Sequence, residues 1–445
     1  MAITERQAPT TPNQAESNLI YSVSSNNGTR PQFQFAAKII DERNGNEVLI
    51  KQQPMPAGSL PAAKSIFNIS QITDDFMGTD KIWKTAKLST NTSANEFNVI
   101  FYEETGSSVS SSVSLVNGTS GSSVYLLDGV VEMNSGDWNW PSGSYYTASI
   151  LLNDDAYRVQ HALTNSPLTQ SIRDGEYATL SVINGNFDNS ADEAQDIYQV
   201  EFAVYNESGT NIQNLSYYNT VANGGGPRTA GTDFWANPGV FDSQTIGTKM
   251  LHIGVGPENL VDAVATLNSN WAYYRVRVVQ QESDGTASQV ASYFEKWFTK
   301  QTPECDYEGT RFSWLNELGG WDYFTFPYAN SKSDSITRET YKQGFVNYSE
   351  NSGYLATYDN TRRGTKQYST SYEETRVAES DWLTTEQADW LRELIESPNA
   401  YIQENGEFYP IVIDTANFDY KTNPRTQKMY RLTVTYKMAN NRRSR

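Results

Sequence analysis

The chain has 445 residues, with 52 acidic side chains against 34 basic ones and a formal net charge of −18. Phosphate binding needs clustered Lys and Arg, so this balance argues against a nucleic-acid groove, and no sequence-specific nucleic-acid contact is expected. Aromatics at 13% and hydrophobics at 38% supply enough apolar surface for packed cores and exclude wholesale disorder.

Cys305 stands alone, so no intrachain disulfide forms and stability comes from burial. A zinc site needs about four N or S ligands, and Cys305 with His161 and His252 cannot fill one. No cofactor and no metal are expected, although a mixed carboxylate site stays formally open. The opening residues lack an apolar signal core, and no run approaches the roughly 18–20 apolar residues of a membrane span.

In chain order, the polar, Pro-containing segment 1–17 reads as a flexible arm. Residues 18–23 and 33–40 read as strands, and Asn44-Gly45 suits a tight type I′ hairpin turn. Residues 65–76 fit a short helix or an irregular crossover, and 96–103 alternates as a strand again. The Ser- and Gly-rich stretch 106–123 reads as a long exposed loop or weak hairpin. Trp138, Trp140, Tyr145 and Tyr146 surround a Pro-Ser-Gly turn. That cluster suits core packing, a protein interface or a platform on which a sugar stacks.

From about 168 onward, 177–183, 197–205, 251–255 and 272–279 are strand-like with almost no helical periodicity, which predicts a sandwich. The acidic loop 184–196 fails the calcium-loop pattern, because Glu193 stands where Gly is needed and Gln199 where Glu is needed. Residues 259–267 fit a short helix, since Leu260, Val264 and Leu267 share a face. The segment 299–306 reads as a boundary.

Six aromatics fall within the sixteen residues RFSWLNELGGWDYFTF, 311–326. Phe312, Trp314, Gly319, Gly320, Trp321 and Phe324 form a candidate core corner, with the glycine pair at a turn between two aromatic runs. Tyr323, Phe324 and Phe326 partly alternate, as a strand with one buried face does. Residues 331–376 are polar and Tyr-rich and read as long paired strands exposed on one side.

Residues 383–396 are the clearest helix: Thr384 and Gln387 spell a capping box, and Leu383 is placed to staple onto Ala388. Ala388, Leu391, Leu394 and Ile395 make its apolar face, and Pro398 stops it. It covers predicted strands at 400–402, 408–413 and 429–437, with Asn405-Gly406 turning the first pair.

The expected fold is mainly β and multi-domain. It has an arm at 1–17, β-sandwich-like domains at 18–165 and 166–302, an α+β domain at 303–439 with one helix on an antiparallel sheet, and a basic tail at 440–445. Arg442, Arg443 and Arg445 in that tail are candidates for an electrostatic contact with an acidic neighbour, or are simply solvated.

RFSWLNELGGWDYFTF, SDWLTTEQADWLRELIESPNAYI, FYPIVIDTANFDYKT and RLTVTYKMANNRRSR, with NLIYSVSSNNGTRPQFQFAAKII and FNISQITDDF nearer the start, resemble a tail-associated structural protein of tailed phages of Bacteroidota, including crAss-like phages. The C-terminal arrangement also resembles tail-tube-like domains, as topology. The resemblance implies a virion component made in the bacterial cytoplasm. Its partners would be copies of itself in a ring and other phage neck or tail proteins. Head-fibre, capsid-decoration and glycan-binding roles stand as alternatives. No enzyme is expected: neither histidine lies by a Gly-x-Ser-x-Gly elbow, and Cys305 has no basic neighbour to lower its pKa. A pair of carboxylates suited to glycoside cleavage is not excluded by composition.

Overall fold

The computed structural model describes residues 3–9, 13–55, 62–78, 93–129, 152–153, 156–157, 162–183, 197–218, 250–263, 266–281, 290–302, 309–343, 346–349, 355–358, 364–415 and 431–440. The protein is mainly β, with several antiparallel sheets and three helices among the described residues. By contacts the chain divides into two compact units. One comprises 1–302 with 314–324, and the other 303–313 with 325–445.

The first unit begins with β1 (Ile3–Gln7), β2 (Asn13–Gln14), β3 (Ile20–Ser25), β4 (Gln34–Asp41), β5 (Glu47–Gln52), β6 (Ala63–Asn68), α1 (Ser70–Phe76), β7 (Ala94–Gly106), β8 (Val113–Ser120) and β9 (Val124–Leu127). These strands form a three-stranded sheet, β1-β3-β6, and a larger one, β2-β9-β7-β4-β5, with β8 added on β7. Period-two alternation decides which side chains go inward. Tyr21 and Val23, Phe35 and Ile39, and Phe97 and Phe101 fall on single faces of their strands and join one buried cluster. That cluster draws on both sheets, so it is a sandwich core. Tyr21 and Phe67 both meet the Phe101 ring, with centroids 5.6 and 5.8 Å away.

Two expectations fail here. The segment expected as a flexible arm carries β1 and β2. Ile3 is buried in the core, and β1 pairs antiparallel with β3, so hydrogen bonding and burial outweigh the polar composition. The 44–45 turn is not a two-residue one: of the pair only Gly45 takes positive φ. The chain closes there through Gly45 N–H to Asp41 O at 2.7 Å and Asp41 N–H to Asn46 O at 2.9 Å. The 106–123 stretch is the turn after β7 and the largely exposed strand β8 that pairs back on it.

The same unit continues with β10 (Leu152–Asn153), β11 (Ala156–Tyr157), β12 (Thr169–Ile172), β13 (Thr179–Ile183), β14 (Ile197–Tyr205), β15 (Asn211–Tyr218), β16 (Met250–Gly254), α2 (Pro257–Ala263), β17 (Tyr273–Gln281) and β18 (Val290–Lys300). A five-stranded sheet, β12-β18-β17-β14-β15, and the pair β13-β16 carry it. Val200, Phe202 and Val204 alternate into the core, as do Tyr274, Val276 and Val278. Helix α2 ends four residues before Leu267, which is buried outside it.

β19 (Thr310–Leu315) and β20 (Trp321–Phe326) are the two aromatic runs of the predicted corner, and Gly319 at their turn has φ +84. β20 does not have the one-sided pattern expected of Tyr323, Phe324 and Phe326. All six residues of β19 are buried, as are five of the six in β20, and Phe324 is the half-buried exception. A strand covered on both faces carries apolar residues at both parities, which is why the alternation looked partial.

The second unit adds β21 (Tyr328–Lys342), β22 (Val346–Ser349), β23 (Leu355–Tyr358), β24 (Thr365–Glu379), α3 (Thr385–Glu396), β25 (Ala400–Glu404), β26 (Glu407–Ile413) and β27 (Thr433–Met438). The seven-stranded sheet runs β20-β19-β25-β26-β27-β24-β21. Asn405 and Gly406 both take positive φ, at 52° and 76°, in the type I′ turn that joins β25 to β26. The Phe312 ring meets Phe326 at 4.9 Å and Tyr436 at 5.2 Å, both edge-on. Thr384 caps α3 in the predicted box, and the helix buries Ala388, Leu391 and Leu394 together with Trp390 and Glu393.

Candidate functional site

The feature that burial does not account for is the ribbon of β21 and β24. Each strand is fifteen residues long. β27 pairs with β24 only over Thr375–Glu379; beyond that, among the described residues, β24 has β21 alone. Every residue from 331 to 343 is exposed, on both faces, which corrects the expected one-sided exposure. At about 3.3 Å per residue the exposed stretch reaches about 40 Å. Thr and Tyr suit a pleated strand, yet neither parity of 331–342 carries an apolar row. The backbone therefore pairs while the side chains have no core to enter.

Cross-strand side chains hold the ribbon. On one face Lys332 lies opposite Arg376, Asp334 opposite Glu374, Ile336 opposite Tyr372, and Arg338 opposite Thr370. The Tyr372 hydroxyl donates to Asp334 at 2.7 Å and reaches Glu374 at 3.2 Å. The hydrogen bond to Asp334, aided by local desolvation and both carboxylate charges, pushes the phenol up to about 12. Further out, the Tyr341 and Tyr368 rings meet at 6.2 Å, and a hydrogen bond to Glu339 raises the Tyr368 phenol.

The root is an ionic clamp. Arg376 is buried and donates to Glu374 at 2.5 Å and to Glu404. Burial works to raise the Glu374 carboxyl, but the hydrogen bond and charge of Arg376 outweigh it and hold the group below its usual range. Lys437 bridges Glu373 at 2.6 Å and Asp414 at 3.1 Å, and these bonds raise its ammonium above the ordinary value. The clamp fixes where the ribbon leaves the sheet. Nearby, the Arg431 guanidinium lies 5.1 Å from the ring of the exposed Trp382 and 5.4 Å from that of Tyr328.

Of the residues singled out in the sequence, Trp138, Trp140, Tyr145 and Tyr146 lie outside the described residues, as do Arg442, Arg443 and Arg445. The corner residues are placed, and they build structure. Gly319 lies so close to Asp128 that a Cβ there would sit 1.6 Å from its carbonyl oxygen. Asn316, which sequence reading passed over, organises the turn. Its buried side chain donates to Leu163 O at 2.7 Å and Asp322 at 3.0 Å, and accepts from Leu318 N–H at 3.0 Å and Gly320 N–H at 2.8 Å.

Two other polar groupings invite a chemical reading. Ser181 Oγ lies 2.7 Å from His252 Nδ1, and Ser93 Oγ lies 3.3 Å from Nε2. All three residues are buried, and Ser181 also accepts from Trp321 N–H at 3.3 Å. A nucleophile needs access to substrate, whereas this serine is enclosed and holds the aromatic corner. A second grouping borders a cavity of about 330 Å³. There Asp174 accepts from Trp271 Nε1 at 2.8 Å and pairs with Lys300 at 2.6 Å, and Lys300 lies 4.8 Å from the indole centre. The cation, the carboxylate and the indole satisfy one another.

Among the described residues no helix is long and apolar enough to cross a membrane. Comparison with protein-family models finds no match, and comparison with curated proteins finds none.

Proposed function

We propose that the chain is a structural subunit of a tailed-phage virion that assembles with copies of itself into a ring in the neck, tail hub or tail. The observation that carries this reading is the β21–β24 ribbon. Two strands alone are marginally stable in water, so a ribbon of about 40 Å exposed on both faces fits a chain whose function is to reach a neighbour. The segment resemblance supplies the phage setting, with other neck or tail proteins as further partners. A ring requires head-to-tail contacts between two different surfaces of one subunit, and an acidic body keeps copies apart until such a contact forms.

Light scattering on the purified chain, followed by negative-stain imaging, tests the proposal. Closed rings of many copies are the expected result. A stable monomer at every concentration overturns it, and a compact trimer replaces it with a head-fibre or decoration role.

A further inference from the structure

Among the described residues β21 ends the seven-stranded sheet, so one side of its backbone offers hydrogen-bonding groups to an incoming strand. Edge strands are usually blunted by Pro, by bulges or by charge. From Ser331 to Glu339, β21 runs in unbroken register with β24, and it contains no proline or glycine. Charge is the guard that remains: Lys332, Asp334, Arg338 and Lys342 share one parity with Ile336 at their centre. A charged edge excludes most partners and admits one whose charges complement it.

That pattern complements itself. Two copies of one strand, paired antiparallel about a two-fold axis, must centre on a residue, because residues directly opposite must have the same hydrogen-bonding parity. Centred on Ile336, Asp334 lies opposite Arg338 of the other copy, twice, and Ile336 lies opposite its own equivalent. Lys332 meets Thr340, Ser333 meets Glu339, and Ser335 meets Thr337. No like charges oppose each other. Moving the centre by one or two residues either way breaks this: at Ser335, Lys332 meets Arg338; at Thr337, Lys332 meets Lys342; at Asp334 or Arg338, that residue meets itself.

Two features of the single chain point the same way. Asp334 lies directly opposite Glu374; Arg376 already serves Glu374 at 2.5 Å, and Arg338 of a second copy places a cation directly opposite Asp334. Ile336 is 46% exposed amid polar neighbours, and the second copy covers it. We propose that β21 pairs edge to edge with β21 of a second copy, antiparallel and centred on Ile336, joining two seven-stranded sheets into one. This inference rests on the self-association proposed above. A two-fold contact closes on itself, so it links subunits in pairs and is separate from the head-to-tail contact of a ring.

Charge reversal and restoration test it. Asp334→Arg places Arg opposite Arg twice, and Arg338→Asp places Asp opposite Asp twice. Each single variant is expected to weaken the pairwise association by about ten-fold or more, measured by sedimentation equilibrium. The double variant Asp334→Arg/Arg338→Asp regenerates both attractive pairs and returns to within a few-fold of the parent. A role in folding alone does not give that rescue, and circular dichroism of each variant separates the two.

Cross-linking adds a second readout. In a Cys305→Ser background, Ile336→Cys is expected to oxidise to a covalent dimer and Arg338→Cys is not, because its equivalents lie about 13 Å apart in this register. If the parent associates while the single variants and the cross-linking pattern show no such selectivity, edge pairing is overturned and self-assembly stands. A parent that stays monomeric overturns both.

Discussion

Asn316 shows how much a single side chain holds at the aromatic corner. All four of its amide hydrogen-bonding contacts are made within a turn that also brings Gly319 against Asp128. Asn316→Ala leaves buried backbone groups and the Asp322 carboxylate short of partners, each at a cost of about 1–3 kcal/mol. A net loss of about 3 kcal/mol in denaturant unfolding is expected, and a loss below about 1 kcal/mol would mean that water replaces the amide. At Tyr372 the measurable quantity is a titration. Hydrogen bonding to Asp334 raises the phenol from its ordinary 10.0 to about 12, so the folded ribbon favours the neutral form. Its contribution is complete below about pH 10 and is lost as pH rises through about 12. NMR of ring-labelled tyrosine should find one resonance, absent in Tyr372→Phe, with its midpoint near 12; a midpoint at the ordinary value would mean that the bond to Asp334 is not made.

At the scale of the element, helix α3 was legible because its signals are local. Thr384, Gln387 and the apolar spacing lie within four turns, and the structure realises the capping box, with Thr384 Oγ1 accepting from Gln387 N–H at 3.2 Å and Gln387 Oε1 accepting from Thr384 N–H at 3.0 Å. Thr384→Ala should therefore destabilise the chain by about 1 kcal/mol, read as a lower unfolding midpoint, with Thr384→Ser recovering most of it. The sandwich strands were legible for a similar reason: Phe35, Ala37 and Ile39 alternate on one face. β1 was not, because Ile3 is its one deeply buried side chain and its stability comes from pairing with β3, a contact that no local pattern announces. The ribbon was half legible. Thr and Tyr composition indicated strands, but exposure on both faces depends on β27 pairing with β24 only from Thr375 onward, which is a fact of sheet topology. The candidate site moved accordingly, from aromatic clusters that stood out by composition to a polar stretch that stands out only by its lack of cover.

Across the whole molecule, charge and the ribbon pull in opposite directions. A net charge of −18 makes copies repel at long range, more strongly at low salt, so association must come from a local surface that overcomes the repulsion. The exposed stretch of β21 carries Lys332, Arg338 and Lys342 against Asp334 and Glu339, which makes it one place on an acidic chain where another copy is not simply repelled. Excising the ribbon tests whether that place governs assembly. Asp334 and Glu374 are directly opposite, so replacing 335–373 by Asn-Gly closes a two-residue type I′ hairpin near the root while leaving Arg376 beside Glu374 and Glu404. Because 331–343 are exposed throughout and both carboxylates on Arg376 are kept, the excised protein should stay folded and unfold within a few degrees of the parent. Its mass by light scattering should fall to that of a single copy, at low and at physiological salt alike. If oligomers persist after excision, the contacts that assemble the chain lie elsewhere on its surface, and the ribbon serves something other than self-association.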